Sequence, residues 1–161
     1  MVKLYKNFDI KKIHKRSIIL IGNFDGVHLG HQRLFKLAQT YKKKYNSKIG
    51  VVNFDPMPKM FFNQSIKNFR LSNISQKINL LNTMGVDFIV TKKFDKNFSK
   101  TKATNFIKKI LSQKLNAKYI FVSNNFRFGN KREGDVDSLI KNEKIYKYKV
   151  VKPKPLFVNK R

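Results

Sequence analysis

The sequence predicts an α/β fold, a parallel sheet with helices on both faces, and three observations carry that prediction. Short β-branched apolar runs recur along the chain, stretches with apolar residues at helical spacing separate them, and glycines or prolines punctuate the changes. Strands alternating with helices of about ten or more residues need crossover connections, which are right-handed and cover both faces of a sheet. At 161 residues the chain fits one such domain.

The elements follow in the order β-α-β-α-β-α-β. Ser17 to Ile21 is a buried strand ending at Gly22, and after the loop to Gly30 a helix carries Leu34, Leu37, Ala38, Tyr41 and Tyr45, the tyrosines forming its core edge. Lys48 to Phe54 is the second strand. It breaks at Asp55-Pro56-Met57-Pro58, where two prolines cannot donate to a ladder. Ser72 is the predicted N-cap of a helix with Gln76 nearby, Ile78, Leu81 and Met84 on its apolar face, and Gly85 as its stop. Val86 to Val90 is the third strand. Thr101 or Thr104 is expected to cap a helix bearing Phe106, Ile107, Ile110, Leu111 and Leu115, and Tyr119 to Val122 returns to strand. Pro153 and Pro155 mark an extended segment leaving the domain. Ligands of open α/β sheets bind beyond the carboxyl ends of the strands, which selects the loops at 22–31, 54–62 and 123–135.

With 36 Lys and Arg against 9 Asp and Glu, the formal charge of +27 favours an anionic partner: nucleotide, nucleic acid or acidic membrane surface. Drift of the whole composition toward Lys and Asn gives the same excess. The lysines are scattered, in stretches such as Lys42-Lys43-Lys44 and Lys92-Lys93, as on a solvated face. No cysteine is present, which excludes disulfides, thiolate catalysis and cysteine metal sites and suits a reducing compartment. No apolar run approaches the roughly 20 residues that span a bilayer, and the N-terminus has no signal-peptide pattern. A cytoplasmic protein without a membrane partner is expected.

Gly22-Asn23-Phe24-Asp25-Gly26-Val27-His28-Leu29-Gly30-His31 joins the first strand to the first helix. Glycine lets backbone approach a phosphate, and the helix start offers free N–H groups and a positive dipole end. His28 and His31, two of the three histidines, can donate to phosphoryl oxygens; a metal pair or an inert turn are the competing readings. The loop lacks both the Walker ending and the G-x-G-x-x-G pattern, which argues against a P-loop NTPase or a dinucleotide oxidoreductase.

This decapeptide resembles the signature of the HxGH nucleotidyltransferases in the form found in bacterial FAD synthetases. Phe54-Asp55-Pro56-Met57-Pro58 with Phe61-Phe62 is similar to that family's second loop, and Asn125-Phe126-Arg127-Phe128-Gly129 with Arg132-Glu133-Gly134-Asp135 to its third motif. The resemblance implies a Rossmann-like nucleotidyltransferase fold and an FMN adenylyltransferase using ATP, FMN and Mg²⁺. It implies that Gly22, Asn23, Phe24, His28, Gly30 and His31 hold ATP, that Asn125 and Arg127 orient the flavin phosphate or the nucleotide, and that Phe62, Phe106 and Phe128 line the isoalloxazine pocket. Asp25, Phe54 and Pro56 join the binding set, and His28, His31 and Arg127 form the catalytic set. For each Phe, plain core packing is the competing reading. Asp25 and Asp135 are Mg²⁺ candidates by proximity.

Met57 replaces the family's usual His, Ser123 stands where Gly is common, and residues 1–161 end before the family's Ile-Ser-Ser-Thr-x-Ile-Arg motif and riboflavin kinase domain. The expectation is therefore an adenylyltransferase domain that binds nucleotide and turns over slowly. A catalytically impaired remnant, another HxGH enzyme and a basic nucleic-acid-binding module are the alternatives. No specific nucleic-acid partner is expected, and the sequence does not indicate an oligomeric state.

Overall fold

The computed structural model describes residues 1–24, 29–63 and 74–153, so Asp25, His28, Ser72 and Pro155 lie outside the described residues. In chain order the elements are β1 (Lys3–Tyr5), β2 (Ile18–Ile21), α1 (Leu29–Tyr45), β3 (Ile49–Asp55), α2 (Pro58–Phe62), α3 (Ile74–Thr83) and β4 (Phe88–Lys93). There follow α4 (Lys96–Ser99), α5 (Ala103–Asn105) running directly into a π-helical segment (Phe106–Lys114), β5 (Tyr119–Phe121), β6 (Arg127–Phe128), β7 (Gly134–Asp135), α6 (Val136–Lys141), α7 (Glu143–Tyr146) and β8 (Lys149–Val151).

Six strands form one parallel sheet in the order β1-β4-β3-β2-β5-β8, and β6 and β7 form a separate antiparallel hairpin. The four anticipated strands are the middle of the sheet. The edge strands β1 and β8 were not anticipated: each is three residues long and begins with a lysine, so neither shows an apolar run. Strand order reverses between β2 and β5, because β3 and β4 lie to one side of β2 while β5 and β8 lie to the other. A reversal opens a crevice at the carboxyl edge.

The period-two alternation of strand side chains sorts the core into two layers. Ile18, Leu20, Ile49, Val51 and Ile89 meet Leu34, Phe35 and Ala38 of α1 and Leu81 of α3. Ile19, Ile21, Val52, Val90 and Ile120 meet Phe106, Ile107, Ile110 and Leu111 of the π-helical segment and Leu139 of α6. Helices thus cover both faces. Truncating a fully buried member such as Leu111 to Ala would cost about 2–5 kcal/mol. Gly50 leaves space for the Phe88 ring, which lies where a β-carbon would stand. His14 stacks on that ring at 4.4 Å and shares a 2.6 Å hydrogen bond with the Tyr5 hydroxyl, and burial lowers its pKa. Edge strand β1 is held by this aromatic cluster as well as by its ladder.

The expected caps at Thr101 and Thr104 are not made. Lys102 stands at the N-cap position without a side-chain bond, and the carboxylate of Glu133 accepts from Ala103 N instead at 2.8 Å. The helix then widens to an i→i+5 pattern, as in Leu115 N donating to Ile110 O. That pattern suits its buried positions, 106 and 107, then 110 and 111, then 115, with polar Gln113 and Lys114 left outside. Lys42 also departs from the solvated-face expectation, since its ammonium pairs with Asp87 at 2.9 Å and caps Gly85 O. Gly85 itself ends α3 at φ +83°, as anticipated.

Candidate functional site

Three connections converge on the carboxyl edge of the sheet, and each is held by the physics of its own residues. Gly22 extends the ladder by donating to Val52 O at 3.0 Å, and the chain then turns through Phe24 at φ +54°. The Phe24 ring folds back over Gly22, close enough that a β-carbon there would lie 3.0 Å from the ring, and buries itself against Phe35. Asn23 Oδ1 accepts from Phe54 N at 3.1 Å, tying this loop to the one after β3. Phe24 and the carbonyl of Asn23 are therefore committed to bracing the loop. Gly30 and His31 lie in the first turn of α1, whose leading N–H groups have no acceptor within the helix. His31 is half-buried, edge-on to Phe24 at 5.0 Å.

In the second connection, the Asp55-Pro56 peptide is cis and Met57 precedes α2. Phe54 is half-buried and leans on Phe98 at 5.6 Å, while Phe62 is 66% exposed and edge-on to Phe61 and Phe94 at 5.2 and 5.9 Å. Phe54, Pro56 and Met57 line an apolar hollow of about 640 Å³ at the ends of β1, β3 and β4, with α3 as its other wall. Asn53 also lines it. Its Oδ1 is buried without a hydrogen-bond partner, an acceptor from which a ligand N–H would gain much. Sequence reasoning passed over Asn53, though a lone amide inside the buried run of β3 was a visible signal.

The third connection builds the hairpin. Phe128 packs on Phe106 with centroids 5.3 Å apart and on Phe126 at 5.5 Å, the latter pair stacked at 16°. Two glycines permit this closeness: a β-carbon at Gly134 would stand 2.6 Å from the Phe128 ring, and one at Gly129, whose φ is +82°, 2.8 Å from the Ala103 backbone. Phe106 and Phe128 are both buried in the core layer, and Phe126 is the ring left half-exposed. Phe126 was outside the anticipated binding set. Arg127 is exposed and its Nε and Nη2 donate to Arg132 O at 3.2 and 3.0 Å. Asn125 Oδ1 accepts from Ser123 Oγ at 2.9 Å. Asn125, Phe126, Arg127, Arg132 and Lys152 border a polar recess of about 510 Å³ at the ends of β5 and β8.

Asp135, the other end of the hairpin, caps α6: its carboxylate accepts from Ser138 N at 2.9 Å and Ser138 Oγ at 2.8 Å. The hydrogen bond from the Ser138 backbone, then that from its hydroxyl, hold the Asp135 pKa below 3.8, with the Arg127 charge acting in the same direction. Among the described residues no three His, Asp or Glu side chains converge as metal ligands. Because β2 lies between β3 and β5, its carboxyl end stands between the apolar hollow and the polar recess. The described residues therefore offer two concavities flanking one anion-attracting helix start.

Comparison with known proteins identifies the family. The family model described as FAD synthetase matches residues 10–161. The bifunctional riboflavin kinase/FMN adenylyltransferase of Buchnera aphidicola from Acyrthosiphon pisum is 38% identical over 94% of this chain and 48% of its own length. That of Escherichia coli K12 is 37% identical over 78% of this chain and 42% of its own. The chain thus spans about half the length of the curated relatives it matches. A crystal structure of a Streptococcus pneumoniae protein described as a macrolide-efflux protein superposes with a TM-score of 0.82 at 25% identity, covering 99% of this chain and 51% of that one. Pantoate-beta-alanine ligase of Francisella tularensis shares the fold at a TM-score of 0.57 and 13% identity, over 99% and 69%. Among the described residues no helix is long and apolar enough to cross a membrane.

Proposed function

The chain belongs to the FAD synthetase family, and from that premise we propose that residues 1–161 form an FMN adenylyltransferase domain, which transfers AMP from ATP to FMN and releases pyrophosphate. The observation that carries this reading is the two-sided edge. The start of helix α1 follows β2, which lies between the strands that lead to the two hollows, an arrangement that suits a reaction joining two phosphorylated ring systems. Each hollow is within the range of about 300–1,000 Å³ typical of small-molecule sites.

An FMN phosphate oxygen attacks the α-phosphorus of ATP in line. The new P–O bond forms as the bond to the bridging oxygen of pyrophosphate breaks, and its electron pair leaves with pyrophosphate. The attacking oxygen is already anionic, so no general base is needed. The obstacles are repulsion between anions and loss of alignment, which fixed donors and positioning overcome. Backbone N–H groups at the start of α1 and the imidazoles of His28 and His31 take the triphosphate, acting as donors and not as nucleophiles. Arg127 supplies a planar fork for a phosphate, and the half-exposed Phe126 ring, backed by buried Phe128, offers a flat face to the isoalloxazine. Asn125 orients the nucleotide, and Phe54, Pro56 and Met57 shape the opposite wall.

ATP enters as its Mg²⁺ complex. The Asp135 carboxylate is engaged by Ser138, and among the described residues no acidic cluster fits a dedicated ion, so no step is routed through protein-held metal. The test is incubation with FMN, ATP and Mg²⁺ followed by chromatographic detection of FAD. Equimolar FAD and pyrophosphate are expected. Absence of FAD, together with no thermal stabilisation by millimolar ATP or FMN, would overturn the reading.

A further inference from the structure

Glu133 lies in the third motif, and its side chain reaches back to the helix packed behind the hairpin. Its carboxylate accepts from Ala103 N at 2.8 Å, the first residue of the helical stretch 103–114 that carries Phe106 one turn later. Two further contacts join the same partners. Asn130 N donates to Thr101 O at 2.7 Å, and Gly129 packs directly on the Ala103 backbone. The Glu133 backbone is fixed on both sides: Arg132 O receives the Arg127 guanidinium, and Gly134 lies under the Phe128 ring. Negative charge at a helix start satisfies an otherwise orphaned N–H and favours the dipole. Here the cap comes from 30 residues downstream, which makes it a tertiary strap as well as a cap.

Resting on the reading given above, we infer that Glu133 is a positioning residue for the flavin: by capping the helix of Phe106 from the hairpin of Phe128, it holds the buried ring pair on which half-exposed Phe126 stacks, and thereby sets affinity for FMN without touching it. The two rings belong to different elements and meet at 5.3 Å. Among the described contacts, the Glu133 carboxylate is the side-chain bond that joins those elements next to the ring pair. Without it the first turn of the helix frays, and FMN binding must reorder that turn before the buried pair again supports Phe126. ATP, held at the start of α1, makes no use of the strap and is indifferent to it.

Two measurements test this, with Glu133→Ala and Glu133→Gln beside the wild type. Gln keeps a carbonyl oxygen for Ala103 N, and Ala keeps none. Amide hydrogen exchange reads the strap itself, with no dependence on activity: the amides of Ala103 and Phe106 exchange about fivefold faster in the Ala variant and near the wild-type rate in the Gln variant. Substrate titrations read the consequence. The FMN KM rises about fivefold to tenfold in the Ala variant and is largely restored by Gln, while the ATP KM stays within about twofold. Unchanged exchange overturns the strap. Faster exchange with an unchanged FMN KM, or equal loss for both substrates, overturns the positioning role. A wild-type protein that stabilises with neither substrate overturns the adenylyltransferase reading and the flavin consequence with it, and is distinguishable because the exchange result still decides the strap.

Discussion

The loop that follows β2 and the hairpin β6–β7 stand on neighbouring strands of the same sheet edge, yet they are built in opposite ways. In the described part of the loop the side chains turn inward: Phe24 is a core ring and the Asn23 side-chain carbonyl accepts from Phe54 N, which leaves the leading N–H groups of α1 as the polar surface offered there. In the hairpin, the backbone is spent on itself and on Thr101 O, and side chains face outward: Phe126, Arg127 and Asn125. A phosphate is recognised by N–H groups and a dipole, which almost any braced glycine turn can present. A flat heterocycle is recognised by ring faces, which must themselves be held apart and parallel. The two regions should therefore fail differently when perturbed.

The largest expected effect is His31→Ala. Removing one charge-stabilising donor costs roughly 100- to 1,000-fold in turnover at sites of this kind. The lost edge contact with Phe24 adds about 1 kcal/mol of destabilisation, measurable by thermal melting. FMN affinity stays within about twofold, because the flavin face is elsewhere. Steady-state kinetics with each substrate varied in turn makes the comparison, and an equal loss for FMN would blur the two regions into one.

Gly129→Ala comes next. Its φ of +82° disfavours any side chain, at about 1–3 kcal/mol, and a β-carbon would press the Ala103 backbone from 2.8 Å. Denaturant unfolding should show at least that loss, with FMN binding weakened and ATP binding retained in the folded fraction. Phe128→Leu is milder. It preserves bulk and costs stability about 1 kcal/mol, but removes the ring on which Phe126 stacks and which Phe106 backs, so FMN affinity falls about threefold to tenfold in a flavin-fluorescence titration.

The division between the regions also explains what was legible in the chain. The loop was legible as a candidate phosphate site because its glycines and histidines all fall within 22–31. The middle strands were legible because buried parallel strands are continuous β-branched runs, as in Ile18–Ile21. The hairpin's motif was visible but its construction was not. The proximity of Phe106 to Phe128 and of Ala103 to Glu133 spans 22 and 30 residues, and no local pattern encodes it. The same holds for the missed cap: Thr101 and Thr104 carry good capping side chains, yet a carboxylate from elsewhere in the fold occupies the position. The edge strands β1 and β8 were illegible because half their residues face solvent or lie at the rim, which erases the apolar run. Phe106 shows the ambiguity that sequence left open. It is a core residue and a wall of the ring cluster at once.

Asp135→Asn gives the smallest effect and separates the hairpin's anchoring from its ligand face. Hydrogen bonds from Ser138 keep the Asp135 pKa below 3.8, so its contribution is fully present above that value and is lost as pH falls through the lower folded-state pKa. Asparagine still offers an oxygen to Ser138 N but does not titrate. Melting curves recorded between roughly pH 2 and 6 should show a shallower acid decline for the variant and no change in FMN affinity at neutral pH.

The central claim is that one sheet edge holds two substrates through two separately built regions, and calorimetric titration of ATP and FMN into the wild type, His31→Ala and Phe128→Leu tests it most directly. The account predicts a crossed pattern: His31→Ala weakens ATP and spares FMN, whereas Phe128→Leu weakens FMN and spares ATP. If both variants weakened both ligands to the same extent, or if neither affected either, the assignment of ATP to the β2–α1 loop and of FMN to the hairpin rings would be contradicted.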